Sequence, residues 1–259
     1  MREELSKIKI EKYLGENHGF ELIIKDETDS TNDDLKELAK SGAESGCTVI
    51  ADSQTQGRGR VGRKFYSPKG SGIYMSLLLK PSLEESDMVL VTTAASVAVA
   101  RGIEKSTGKS PQIKWVNDIY LDNKKICGIL VEAVRDYRNK IIAIIIGVGI
   151  NCEYCEFPEE IRDIAGTIAD ADESISRNKL IAGVLKELAR VEDAIRSKSF
   201  LDEYRQRSMV LGREIYVLGK ENEILKAVDI DERGSLVTET KGGEQRVLFS
   251  GEISIRLNN

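Results

Sequence analysis

Residues 57–64 read Gly57-Arg58-Gly59-Arg60-Val61-Gly62-Arg63-Lys64, three glycines and four cations in eight positions. Glycine lets a backbone approach a ligand closely, and the arginine fork matches the paired oxygens of a carboxylate or phosphate. The segment therefore suits a grip on a small polyanion. Taken literally, Gly57-x-Gly59-x-x-Gly62 matches the dinucleotide fingerprint, and Gly57-x-x-x-x-Gly62 opens like a P-loop. Both motifs need a helix directly after the glycines, because its N-terminus receives the phosphate. Ser67-Pro68-Lys69-Gly70-Ser71-Gly72 denies such a helix, and Arg63-Lys64 stands where a P-loop carries Lys followed by Ser or Thr. What remains is a helix-free basic loop, expected to be mobile when empty, or else a solvated surface loop without function.

The rest of the chain narrows the chemistry. His18 is the one histidine and lies far from the loop, which excludes Ser-His-Asp and Cys-His systems and multi-histidine metal centres. The reaction must run on cations, carboxylates, amides and a bound ion. Net charge is −5, yet Ser53 to Gly72 holds five cations and no acid, leaving −10 on the remainder. A general nucleic-acid binder would show a broad basic face instead. Four scattered cysteines do not make a disulfide framework, so a reducing compartment, the cytoplasm, is expected. Cys152-x-x-Cys155 could begin a zinc site, but no second pair or nearby histidine completes it, and incidental thiols are the plainer reading. The longest apolar run, 141–150, is too short to span a bilayer, and Met1-Arg2-Glu3-Glu4 is too acidic for a signal peptide.

Ahead of the loop, 20–25 reads as a strand. Ser30-Thr31-Asn32 then looks like a cap region, with Asp33 and Asp34 in the first turn of a helix over 32–41. A strand at 47–51 delivers the chain into the basic loop, and a strongly apolar strand at 72–79 leaves it. A buried helix is expected over 88–107, then short strands at 112–116, 119–121, 126–134 and 140–148 joined by tight turns, which implies mostly antiparallel pairing. Helices follow at 176–197 and 200–207. Beyond residue 211 the alternation shortens into strands at 214–217, 224–229, 236–239, 246–249 and 253–257, the pattern of a small five-stranded barrel. The expectation is an α+β protein with a mixed, largely antiparallel sheet flanked by helices, divided into a domain over 1–209 and a small β-barrel domain over 210–259.

The loop has companions. Asp29-Ser30-Thr31-Asn32 lies upstream; Lys114-Trp115-Val116-Asn117-Asp118, Lys125-Ile126-Cys127-Gly128-Ile129-Leu130-Val131-Glu132 and Gly147-Val148-Gly149-Ile150-Asn151 lie downstream. With Gln54 to Pro68 they make five segments whose order and spacing, over residues 29–151, resemble the biotin protein ligase family. That resemblance implies a sheet related to class II aminoacyl-tRNA synthetases followed by an SH3-like domain. It implies two half-reactions: the biotin carboxylate attacks the α-phosphate of ATP to give biotinyl-5′-adenylate, and a lysine of a biotin carboxyl carrier domain of a biotin-dependent carboxylase then attacks the adenylate. The residue inventory suits this, since a carboxylate needs no base to become a nucleophile. It needs charge relief, from fixed cations and Mg²⁺.

By the same resemblance, Ser30, Thr31, Asn32 and Gln54 bind the ureido head of biotin, with Gly57 and Gly128 allowing close approach. Arg58 and Arg60 hold carboxylate and phosphates, and Lys125, rather than Lys124, reaches the carboxylate or α-phosphate. Arg63, Phe65, Asn117 and Asn151 contact the nucleotide, and Asp118 positions Mg²⁺ or accepts a proton from the attacking lysine. The plainer alternatives are helix capping for Ser30 and Thr31, a hairpin-turn lysine for Lys125 and a turn residue for Asp118. Trp115 is expected in the core. Val116 departs from a common family proline, and Phe65 from a common tryptophan, which leaves less aromatic area for adenine. The short stretch before the first strand implies the monofunctional form, without an N-terminal DNA-binding domain, and the family commonly forms a sheet-edge homodimer. Two rivals stand beside this reading: a lipoate or octanoate protein ligase of the same fold, against which the Ser30-Thr31-Asn32 set argues, and an RNA-binding module, for which the loop has too few aromatics.

Overall fold

The computed structural model describes residues 3–80, 87–217, 223–249 and the strand at 253–255. The chain enters through a short helix, α1 (Lys7–Leu14), whose N-cap Ser6 accepts a hydrogen bond from the Lys9 N–H and which buries Ile10 and Leu14. Its sequence carries little helical signal, because Ile8 and Tyr13 are exposed and only Ile10 and Leu14 of its apolar residues face the core.

A seven-stranded sheet follows: β1 (Glu21–Lys25), β2 (Cys47–Ala51), β3 (Gly72–Leu79), β4 (Gln112–Lys114), β5 (Asp118–Leu121), β6 (Lys124–Arg135) and β7 (Ile141–Asn151). Its order is β1-β2-β3-β7-β6-β5-β4. Only β1 and β2 run parallel, joined by the α2 crossover (Thr31–Lys40); every other neighbour pair is antiparallel. The expectation of a mixed, largely antiparallel sheet flanked by helices therefore holds. β3 and β7 are apolar without alternation because both faces are covered. On one face α2 packs Leu35 and Ala39 against Val49, Leu78 and Ile145. On the other, α3 (Met88–Thr107), rich in alanine and valine, lies with α4 (Arg177–Leu188) over Met75, Leu77, Ile129 and Ile146.

Several boundaries differ from the sequence reading. β4 stops at Lys114 rather than 116, because Trp115 and Val116 turn inward, through a cis peptide between them, to pack in the core. The helix expected over 176–197 is two helices, α4 and α5 (Val191–Ser197), broken where Ala189 and Arg190 turn. α6 (Leu201–Arg207) completes the layer.

The C-terminal strands β8 (Glu214–Val217), β9 (Glu223–Ile230), β10 (Leu236–Glu239), β11 (Gln245–Leu248) and β12 (Ile253–Ile255) form a second, wholly antiparallel sheet ordered β11-β10-β9-β8-β12. The last two residues of the strand expected over 253–257 lie outside the described residues. This sheet is fastened to the first at one corner: the Arg205 guanidinium donates to the Ile230 carbonyl, and the Trp115 indole N–H donates to the Gly234 carbonyl at 3.0 Å. Among the described residues no helix is long and apolar enough to cross a membrane.

Candidate active site

A cleft of about 330 Å³ opens where the N-terminus of α2, the basic loop, the β4–β5 connection and the middles of β6 and β7 meet. Its floor is bare backbone. Gly128 on β6 pairs in register with Gly149 on β7, and the Phe65 ring lies over both. A Cβ on Gly149 would come 2.5 Å from Phe65 Cε1, and one on Gly128 3.3 Å from Cε2. Phe65 thus rests on the sheet inside the cleft, edge-on to Tyr74.

One end of the cleft is polar and uncharged. Ser30 sits at the N-cap position of α2, but its side chain makes no capping hydrogen bond, so capping does not account for it. Ser30 belongs to the cleft lining, beside Thr31, Asn32 and Gln54. Gln54 Oε1 accepts from the Thr31 backbone N–H at 3.0 Å, and its amide nitrogen donates to Ser67, which in turn donates to the Phe65 carbonyl. The helix start is thereby tied to the returning limb of the basic loop. Ser76, on β3, completes this end by bridging Thr31 and Asn32. Spacing alone gave no sign of it, because it lies mid-strand in an apolar run.

The other end is cationic. Residues 57–65 form a small hairpin, with Phe65 N–H bonded to the Gly57 carbonyl at 2.8 Å and Gly59 N–H to the Arg63 carbonyl at 2.7 Å. No α-helix opens after the glycines, as expected: Arg60–Gly62 make one tight turn with positive φ at Val61 (53°) and Gly62 (74°), and the next element is β3. Gly57 lies outside the lining, buried at the base, where a Cβ would strike the Phe65 carbonyl and the Ser67 hydroxyl. Arg60 Nη1 donates to Asn117 Oδ1 at 3.2 Å, and Arg58 pairs with Asp33 at 2.7 Å. Arg63, Lys64 and Lys114 also line this end.

Lys125 reaches the cleft from the β5–β6 hairpin and pairs with Asp118 across it at 2.6 Å. Lys124 turns away and donates to the Asp163 carbonyl. Both backbone groups of Lys125 are clamped by the segment 164–166, through Lys125 N–H to Ile164 O (2.8 Å) and Gly166 N–H to Lys125 O (2.9 Å). Asn117 lines the cleft and donates to the Ile129 carbonyl at 2.7 Å. Asn151 lies outside the described lining: its amide donates to the Gly166 carbonyl and so holds the segment that clamps Lys125.

Electrostatically the cleft is an anion site. Asp118 is the single carboxylate among the described lining residues, facing six cations. Neighbouring groups do not compete for protons: burial, aided by the Asp118 carboxylate, pushes the Tyr120 hydroxyl up to about 12, and burial pushes the Cys127 thiol well up. Trp115, expected in the core, is buried, with one edge on the cleft wall. Among the described residues no group of three or more metal-ligating side chains occurs.

Comparison with known proteins gives a consistent answer. Residues 25–151 match the biotin/lipoate A/B protein ligase family, and residues 210–256 match the biotin protein ligase C-terminal domain. The chain is 35% identical to the bifunctional ligase/repressor BirA of Bacillus spizizenii over 250 residues, covering 92% of this chain and 74% of the relative. It is 29% identical to the biotin–[acetyl-CoA-carboxylase] ligase of Mycobacterium tuberculosis, covering 94% and 92%. Among solved structures, the biotin protein ligase of Aquifex aeolicus in complex with biotin and ATP superposes with a TM-score of 0.79 at 32% identity, covering 92% of this chain and 99% of the other. The chain belongs to the biotin protein ligase family.

Proposed function

We infer that the protein activates biotin with ATP to biotinyl-5′-adenylate and transfers the biotinyl group to a lysine of a biotin carboxyl carrier domain, acting in the cytoplasm. The observation that carries this reading is the convergence, in one cleft, of the arginines of the loop and Lys125 from a separate hairpin, beside an uncharged polar end built from Ser30, Thr31, Asn32 and Gln54. The polar end suits the ureido head of biotin, whose donors and acceptors match hydroxyls and amides. The rings then lie between this end and Phe65, which covers Gly128 and Gly149, and the valeryl carboxylate reaches the cationic end.

There the problem is repulsion between two anions. Arg58, Arg60 and Lys125 neutralise the carboxylate and the α-phosphate and stabilise the charge that develops as pyrophosphate leaves. Asn117 and Arg63 orient the nucleotide, Phe65 supplies an aromatic face beside adenine, and Asn151 acts through the segment 164–166. Folding of the 57–65 hairpin over the mixed anhydride keeps water from it until the acceptor arrives. In the second step the attacking amine must lose a proton, and Asp118, which pairs with Lys125 at 2.6 Å, would take it once Lys125 engages the phosphate. Mg²⁺ fits this donor set as an ion held chiefly by the nucleotide phosphates with Asp118 as its one protein carboxylate, where it would neutralise phosphate charge. The chemistry is assigned to residues 1–209, with 210–259 bracing the β4–β5 connection through Trp115. A homodimer would use the open edge of β6 beyond Gly128, where β5 ends and only β7 lies alongside.

ATP–pyrophosphate exchange tests the reading. Exchange is expected with biotin and not with lipoate; exchange with lipoate alone would move the protein to the rival ligase class.

A further inference from the structure

Behind the polar end of the cleft lies a chain of hydrogen bonds whose direction is set from one end. Glu132, on β6, places one oxygen 2.7 Å from the Lys36 ammonium and the other 2.7 Å from Asn32 Nδ2. A carboxylate beside an ammonium only accepts, so the Asn32 amide must turn its NH₂ toward Glu132, with the Leu130 carbonyl, 3.5 Å from Nδ2, a longer second acceptor on the same side. Asn32 Oδ1 then faces Ser76, whose hydroxyl donates to it at 2.6 Å. With its single proton used, Ser76 must accept from the Thr31 hydroxyl 2.7 Å away. The Thr31 hydroxyl also lies 3.3 Å from Gln54 Oε1, but its one proton goes to the shorter contact with Ser76, and Gln54 Oε1 still accepts from the Thr31 backbone N–H at 3.0 Å. The lone pairs that remain, on Thr31 Oγ1 and Asn32 Oδ1, belong to residues of the cleft wall. Gly147 permits the arrangement, since a Cβ there would overlap Asn32 Oδ1.

We propose that Glu132 is a specificity-determining positioning residue. By fixing the Asn32–Ser76–Thr31 chain in one direction, it makes the closed end an array of acceptors, complementary to a head group with paired N–H donors such as a cyclic urea. The proposal rests on the ligase reading above. A group at 132 that both donates and accepts would leave only the Leu130 carbonyl, at 3.5 Å, to hold the Asn32 amide, too long a contact to keep the chain from reversing. Asn32 would then present NH₂ to Ser76, Thr31 would become a donor, and the head group would meet the wrong polarity. Glu132 is itself braced. Lys36 also pairs with Asp33 at 3.3 Å, and Asp33 with Arg58 of the loop at 2.7 Å, so alternating charges join the closed end of the cleft to its cationic one.

The test is biotin-dependent ATP–pyrophosphate exchange by the full chain, read as separate KM and kcat values. Glu132→Gln keeps size and changes polarity; Glu132→Asp keeps polarity and changes size. We expect Glu132→Gln to raise the KM for biotin at least ten-fold, with kcat and the KM for ATP within about three-fold of the parent, and Glu132→Asp to recover most of the lost biotin KM. A biotin KM within two-fold of the parent in Glu132→Gln, or an Asp variant as impaired as the Gln variant, overturns the proposal while leaving the ligase reading intact. Absence of exchange in the parent with biotin overturns both. If melting curves show Glu132→Gln unfolded at the assay temperature, Ser76→Ala breaks the same chain with the Glu132–Lys36 pair in place. A raised biotin KM is expected there too, and an unchanged one rejects the inference.

Discussion

Lys125 carries the most testable assignment at the scale of single residues. Its ammonium is 2.6 Å from Asp118, its backbone is held on both sides by residues 164–166, and its side chain is partly exposed to the cleft. Removing it takes a charge from the reacting end while removing little buried surface. Lys125→Ala is expected to slow adenylate formation by about 100-fold or more, the scale on which a donor to developing charge acts, with an almost unchanged melting temperature. Single-turnover measurement of adenylate and a melting curve check the two halves, and a near-normal rate would place the role elsewhere. The loop arginines, Lys125 and Ser30 to Asn32 were legible in the sequence because their types and near neighbours already state an anion grip and a hydrogen-bonding set. Ser76 was not, and Glu132 was legible only as the end of a motif without a role: each acquires its meaning from Asn32, which lies 44 and 100 positions away in the chain. Asn151 shows the converse, since its motif was legible but the contact it makes, with the Gly166 carbonyl, was not.

At the scale of elements, the glycines of β7 explain how a site can lie on the face of a packed sheet. A central strand made of isoleucine and valine alone would fill the cleft with its own side chains. Gly147 and Gly149 clear one face, so that Asn32 closes against the first and Phe65 against the second. Gly147→Ala should therefore push Asn32 away from Ser76, destabilise the fold by about 1–3 kcal/mol, the usual scale of overpacking, and raise the KM for biotin more than that for ATP. A denaturation series with kinetics on the same variant checks this; equal changes in both KM values would show that Gly147 serves only the general packing. The strands themselves were readable from alternation and apolar runs. The break between α4 and α5 was not, since Ala189-Arg190 contains neither glycine nor proline and both halves keep the same apolar face.

On the scale of the whole molecule, the site depends on a corner distant from the loop. Glu104 of α3 and Glu203 of α6 both receive the Arg207 guanidinium, and Glu203 also receives Arg101. The same α6 carries Arg205, which bonds the Ile230 carbonyl of the second sheet, and that sheet accepts the Trp115 indole beside Asn117. Hydrogen bonds from Arg207 and Ser110 hold the Glu104 carboxyl below the ordinary carboxylate range. Burial works against the same shift at Glu203, but Arg101 and Arg207 outweigh it. For a carboxylate whose folded pKa is depressed, the unfolded chain takes up protons first. The stabilisation is therefore complete above the ordinary value of about 4.3 and is lost as pH falls through the lower folded value. Arg207→Met should destabilise the protein by about 1–3 kcal/mol at neutral pH, the scale of hydrogen bonds to charged groups. It should also flatten the fall of melting temperature between about pH 5 and 3, because the two carboxyls would then titrate nearer their ordinary range. Melting curves of parent and variant across that interval decide it, and parallel acid limbs would mean that other carboxylates govern acid unfolding. Because α6 also anchors the second sheet, the variant should lose affinity for ATP, through Trp115 and Asn117, before it loses affinity for biotin at the far end of the cleft.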